Sequence, residues 1–118
     1  MSIDYEYYEY VFESIFMWCG QHLLSLSDQE LEWAIYEDYM FYYTDLLDEH
    51  LTCFVEMGFI NKEIAEKARL IRELSDKMLS DDEEFSAKRV RTSKTWQKIF
   101  RLVDELKQEM NFSKANNK

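Results

Sequence analysis

The chain has 118 residues, enough for one domain with one core. It contains no proline, only Gly20 and Gly58 as glycines, 47% hydrophobic residues and a formal net charge of −10; with so few residues that interrupt helices, the backbone is biased towards helix. No apolar run approaches the roughly 20 residues that span a bilayer, and the acidic N-terminus lacks the basic region of a secretion signal, so a cytoplasmic, membrane-free protein is expected.

The predicted fold class is all-α: a single compact domain of four to five helices over residues 1–118. Within it, 1–61 is acidic and Tyr-rich, 62–112 is of mixed charge, and 113–118 is a frayed tail. A first helix is predicted from about Ile3 to Leu24, where Tyr8, Val11, Phe12, Ile15, Trp18, Cys19, His22 and Leu23 recur at helical spacing as an apolar stripe. Glu6, Glu9, Tyr10 and Glu13 fall on another face. Ser27 to Glu30 reads "SDQE", a capping box that starts a second helix at Ser27, with Glu30 reaching back to the Ser27 amide. That helix carries Leu31, Ala34, Ile35, Tyr39 and Tyr42 on one side and Glu30, Trp33 and Glu37 on another. The apolar pattern continues through Leu46, Leu47, Leu51, Phe54 and Val55 to Gly58, which suits a left-handed C-cap. A break near Thr44 is open at this level, with Thr44 and Asp45 as candidate caps of a new start.

Asn61 is a second N-cap, followed by the stripe Ile64, Ala65, Ala68, Ile71, Leu74, Ser75 and Met78. Residues Ser80 to Lys94 form the one polar stretch, read as a loop or short helical turn. A last helix starts near Thr92 or Ser93 and buries Trp96, Ile99, Phe100, Val103, Leu106 and Met110.

Charge is the most informative feature. From Met1 to Asn61 there are thirteen acids and no lysine or arginine, whereas Lys62 to Lys118 hold eleven acids and fourteen bases. All eight tyrosines lie in the first half. Aromatic residues point all round the first helices, so some of them must meet solvent or a partner.

Chemistry-bearing motifs are few. Cys19 with His22 and His50 with Cys53 are three-residue steps that would each offer two zinc ligands, and they meet only if the chain breaks near Thr44. Free, packed thiols in a reducing compartment are the simpler expectation. Helical di-iron sites need Glu-x-x-His pairs, but Cys19 and Leu47 occupy the positions three before His22 and His50. There is no G-x-S-x-G and no P-loop, and an acidic field raises a thiol's pKa and so weakens it as a nucleophile. The expectation is therefore no enzyme, no cofactor and no metal. Lys88, Arg89, Arg91, Lys94, Lys98 and Arg101 form a basic patch, but the negative first half would repel a polyanion, so no direct nucleic-acid binding is expected.

Tyrosine and tryptophan bring large rigid area and a polar handle to interfaces, and uncompensated carboxylates steer a cationic partner. Glu6, Glu9, Tyr10, Glu13, Trp33, Glu37 and Asp38 are the predicted partner-binding residues. The partner is expected to be basic, bound by a monomer in a 1:1 complex.

Short, acidic, helical, aromatic-rich and single-domain, the whole chain resembles in type the bacterial immunity proteins of contact-dependent growth inhibition and other polymorphic nuclease toxin systems. The resemblance rests on overall character and carries no family residues onto this chain. It implies neutralisation of a cognate basic nuclease toxin by occluding its active site or substrate groove. The alternative reading is a phage or plasmid nucleic-acid mimic of the anti-restriction or anti-CRISPR type, presenting carboxylates at phosphate-like intervals.

Overall fold

The computed structural model describes residues 4–81, 83 and 86–116, residues 111–116 by backbone alone. Among the described residues there is no strand, and the fold is all-α. The helices are α1 (Tyr5–Trp18), α2 (Asp28–Trp33), α3 (Met40–Tyr42), α4 (Asp48–Glu56), α5 (Lys62–Leu79), α6 (Ala87–Thr92) and α7 (Lys94–Asn116). A π turn, Ala34–Tyr39, joins α2 to the single turn of α3, and a 3₁₀ turn, Tyr43–Asp45, follows. Counting this continuous run as one helix gives six among the described residues, against the four to five expected. No described helix is long and apolar enough to cross a membrane.

Local chemistry explains most boundaries. Asp4 caps α1 by accepting the Tyr7 amide at 2.9 Å. That helix ends at Trp18, six residues before the predicted end, because Gly20 adopts φ +134 and turns the chain into a 3₁₀ segment, Gln21–Ser25. His22 consequently leaves the apolar stripe and is exposed. Ser27 caps α2 as expected, accepting the Glu30 amide at 3.2 Å, but its hydroxyl donates to Glu30 Oε1 at 2.7 Å in place of the predicted contact to the Ser27 amide. Thr44 caps no new helix; its hydroxyl donates back to the Phe41 carbonyl at 2.8 Å, and α4 starts after Leu47. Gly58, at φ +79, closes α4. The Phe59 amide donates to the Phe54 carbonyl and the Gly58 amide to that of Val55, a Schellman motif. Asn61 accepts the Ile64 amide at 2.8 Å. Ser86 starts α6, and Ser93 precedes α7, whose helical backbone runs to Asn116 and so into the stretch expected to fray.

One core unites the elements. α5 lies along α7, burying Ile64, Ala68 and Ile71 on one side and Trp96, Ile99, Phe100, Val103 and Leu106 on the other. α1 and α4 add an aromatic cluster in which Tyr8, Phe12, Phe54 and Phe59 stand with ring centroids 5.1 to 6.5 Å apart.

The π turn has a packing cause. Leu31, Ile35, Tyr39 and Tyr43 are all buried at strict four-residue spacing. In an α-helix each such step overshoots a full turn by about 40°, so the fourth residue would rotate away from the core. The wider π turn takes up the overshoot and keeps Tyr39 and Tyr43 facing inward. There the Tyr39 hydroxyl bonds Ser75 Oγ at 2.6 Å and the Cys19 thiol, and the Tyr43 hydroxyl donates to Asp76 at 2.6 Å. Burial pushes all three acidic groups, Cys19, Tyr39 and Tyr43, upward, so each stays protonated.

Candidate protein-binding surface

With the buried positions so assigned, the opposite side of the run from Asp28 to Asp45 is left outward. Phe41 is 69% exposed, Trp33 63%, Tyr36 52% and Met40 37%. Trp33, Tyr36 and Met40 follow at three- and four-residue spacing, and Phe41 borders one depression together with Tyr36 and Met40, so the four form one ridge. Among the described residues every exposed large hydrophobic side chain lies between Tyr5 and Met57.

α1 packs antiparallel beside this run. The Tyr10 and Tyr42 rings meet edge-on at 6.1 Å, Tyr42 meets Phe41 edge-on at 5.4 Å, and near the other end Trp18 shares a depression with Ala34 and Asp38. Of the predicted partner-binding residues, Trp33, Glu37 and Asp38 lie on this run, Tyr10 on α1 meets it through Tyr42, and Glu13 follows Tyr10 by three residues on α1. Tyr10, Glu13, Trp33 and Glu37 are exposed and Glu9 and Asp38 half-buried. Glu6 is exposed one turn before Tyr10, about 6 Å along the axis, at the edge of this surface.

Its electrostatics are mixed. Some first-half carboxylates are answered from within: Arg91 Nε contacts Asp28 at 3.1 Å, Arg69 and Arg72 contact Asp48 at 3.5 and 3.2 Å, and Glu32 accepts the Ala87 amide at 2.8 Å. Within the basic patch, Arg91 makes this cross-fold contact, whereas Lys88, Lys94, Lys98 and Arg101 are exposed. Among the described residues no cation lies within ion-pair distance of Glu6, Glu37 or Asp38. The tyrosines are likewise divided. Tyr8, Tyr39 and Tyr43 are buried, Tyr7 and Tyr42 half-buried, and Tyr5, Tyr10 and Tyr36 exposed. Burial raises the Asp45 carboxyl, with His50 opposing, and the Tyr7 and Tyr10 phenols beside it are raised by burial and by neighbouring negative charge.

Two shallow depressions of about 460 Å³ each flank the ridge. One lies among Tyr36, Glu37, Met40, Phe41, Thr44 and Asp45. The other is lined by Trp18, Leu26, Gln29, Glu30, Trp33 and Asp38. Trp18, Glu30, Tyr36, Met40 and Phe41 thus belong to the surface without having been singled out from sequence. Glu30 shares a predicted helix face with Trp33 and Glu37, and the three- to four-residue spacing of Tyr36, Met40 and Phe41 to Trp33 or Glu37 is the available signal for the rest of the run. Trp18 joins from α1 and carries no such signal.

The two Cys and His pairs do other work. Cys19 is buried against Tyr39, His22 Nε2 lies 3.1 Å from the Met17 carbonyl, His50 Nδ1 lies 3.0 Å from that of Asp45, and Cys53 Sγ is 3.6 Å from Met57 Sδ. Among the described residues no group of three or more His, Cys, Asp or Glu side chains is placed to hold a metal ion.

Compared with known proteins, the chain matches no family model, no curated protein and no solved structure.

Proposed function

We propose that this chain is a binding protein for a basic protein partner, and specifically an immunity protein that neutralises a cognate nuclease toxin by occluding its active site or substrate groove. The observation that carries the reading is the ridge of Trp33, Tyr36 and Phe41, more than half exposed, with Glu37 and Asp38 beside it and no cation paired to either among the described residues. Rings of that size in water are unfavourable unless a partner covers them, and a nuclease groove built for phosphates supplies the complementary charge. The rings standing between the carboxylates favour a protein groove over nucleic-acid mimicry, since a mimic needs charge at phosphate-like intervals and gains nothing from exposed phenylalanine.

Binding here requires no proton transfer by this chain. Complementary charge steers the encounter, towards about 10⁸ to 10⁹ M⁻¹s⁻¹ in the fastest cases, and the aromatic ridge then slows dissociation by excluding water.

The test is affinity capture from the source cell, followed by association kinetics with the captured protein. A basic nuclease inhibited on binding is the expected result. Reversing the charge at Glu6, Glu9, Glu13 and Glu37 together should slow association and flatten its dependence on salt. Capture of a partner without nuclease activity, or rates unchanged by the reversal, overturns the proposal.

A further inference from the structure

We infer that the depression between Trp18 and Trp33 receives an arginine side chain of the basic partner. The inference rests on the binding role proposed above and adds to it the chemistry of one contact.

The walls are unusual for a surface hollow of about 460 Å³: two indoles, one half-buried at the end of α1 and one 63% exposed on α2, face a space rimmed by Glu30, Asp38 and Gln29. No lysine, arginine or histidine lines it. The arginine bonded to the backbone of the Leu26 wall is engaged elsewhere. Arg91 donates to the Leu24 and Leu26 carbonyls at 2.7 and 2.6 Å and to Asp28, which holds the loop that supplies Leu26 to the wall. A cation thus holds the backbone of the Leu26 wall, while the lining itself is two indoles, the aliphatic Leu26 and Ala34, and the polar Gln29, Glu30 and Asp38.

The rim carboxylates differ in availability. Glu30 Oε1 already accepts the Ser27 hydroxyl at 2.7 Å as part of the α2 cap. Asp38 is half-buried in the π turn, and among the described residues no cation pairs with it. Asp38 is thus the anchor for the incoming charge, with Glu30 and Gln29 as further acceptors.

A guanidinium fits this set better than an ammonium. Its plane stacks on an indole while its edge donates in-plane to a carboxylate, whereas a lysine head is a compact, strongly hydrated point charge that makes one contact at the expense of the other. The apolar stem of the same side chain covers Leu26 and Ala34.

The probe is a tetra-arginine peptide titrated against the full chain, read by tryptophan fluorescence. Trp96 is fully buried and supplies a constant background, so a change reports Trp18 and Trp33. Saturable quenching by tetra-arginine is expected, with about tenfold weaker response to tetra-lysine and about tenfold weaker binding for Asp38→Asn and for Trp33→Ala. Glu63→Gln, on the exposed side of α5, should leave the titration unchanged. Equal response to both peptides, or wild-type binding by Asp38→Asn, overturns the inference. Circular dichroism of the Trp33 and Asp38 variants checks that the helices remain. A captured nuclease whose affinity is untouched by Trp33→Ala sinks the arginine contact and leaves the binding role standing; saturable, Asp38-dependent peptide binding with no nuclease captured does the reverse.

Discussion

The Tyr39 hydroxyl lies 2.6 Å from Ser75 Oγ with both residues fully buried, so the run from Asp28 to Asp45 is tied to α5 by a polar contact inside an otherwise apolar core. Losing a buried hydrogen bond costs about 1 to 3 kcal/mol when the remaining group is left unsatisfied, and because the Tyr39 hydroxyl keeps its contact with the Cys19 thiol the lower part of that range applies. Ser75→Ala should lower stability in that range by urea unfolding. Combining it with Tyr39→Phe should cost less than the sum of the two changes, because both delete the same contact. Strict additivity would show that the contact contributes nothing of its own.

Alkaline stability should fall early. Burial holds the Tyr8 phenol up to about 12, with Tyr5 and Glu9 adding to the effect. Between about pH 10 and 12 the unfolded chain gives up this proton while the folded chain keeps it, so stability is fully present below about pH 10 and is lost as pH rises. The loss by about pH 12 is on the order of 2 to 3 kcal/mol for this one group. Urea midpoints measured across that window should decline more gently in Tyr8→Phe than in the parent chain. Identical slopes would remove Tyr8 as a contributor.

The two glycines should respond unequally to alanine. At Gly58, φ is +79 and an added Cβ would meet nothing within 4 Å, leaving only the left-handed backbone cost of roughly 1 kcal/mol. At Gly20, φ is +134 and the Cβ would stand 2.6 Å from Asp104 Oδ1, the side chain that also accepts the Gln21 amide. Gly20→Ala should therefore cost about 2 kcal/mol or more. Thermal unfolding of the two variants measures the difference, and equal losses would contradict the close approach.

Arg91 and Asp28 offer a further contrast within one ion pair. The Asp28 side chain is 79% exposed, so Asp28→Asn should change stability by no more than about 1 kcal/mol. Arg91→Ala removes the donor to the Leu24 and Leu26 carbonyls as well, and should cost about 1 to 3 kcal/mol. If the inference about the Trp18 hollow holds, Arg91→Ala also weakens tetra-arginine binding by loosening the Leu26 wall. Comparable small effects from both substitutions would show that the carbonyl contacts are inconsequential.

What the amino-acid order determined is what neighbours along the chain decide. Ser27 and Asn61 cap helices because their side-chain oxygens reach amides three residues on, and Gly58 ends α4 because it alone tolerates the left-handed turn there. The stripe from Trp96 to Met110 buries as its period requires, and the segregation of charge is visible by counting. The tertiary structure decided the rest. Ser27 to Asp45 reads as an ordinary amphipathic helix until Leu31, Ile35, Tyr39 and Tyr43 are all packed inward, the last two against Ser75 and Asp76 on α5, and the π turn accommodates that packing. Likewise Trp18 sits on a core stripe by spacing, yet it half-faces solvent because α1 stops there and the chain turns at Gly20. Periodicity assigns a residue to a face of its own helix; which faces are covered depends on what packs across from them, and that information is held by residues far away in the chain.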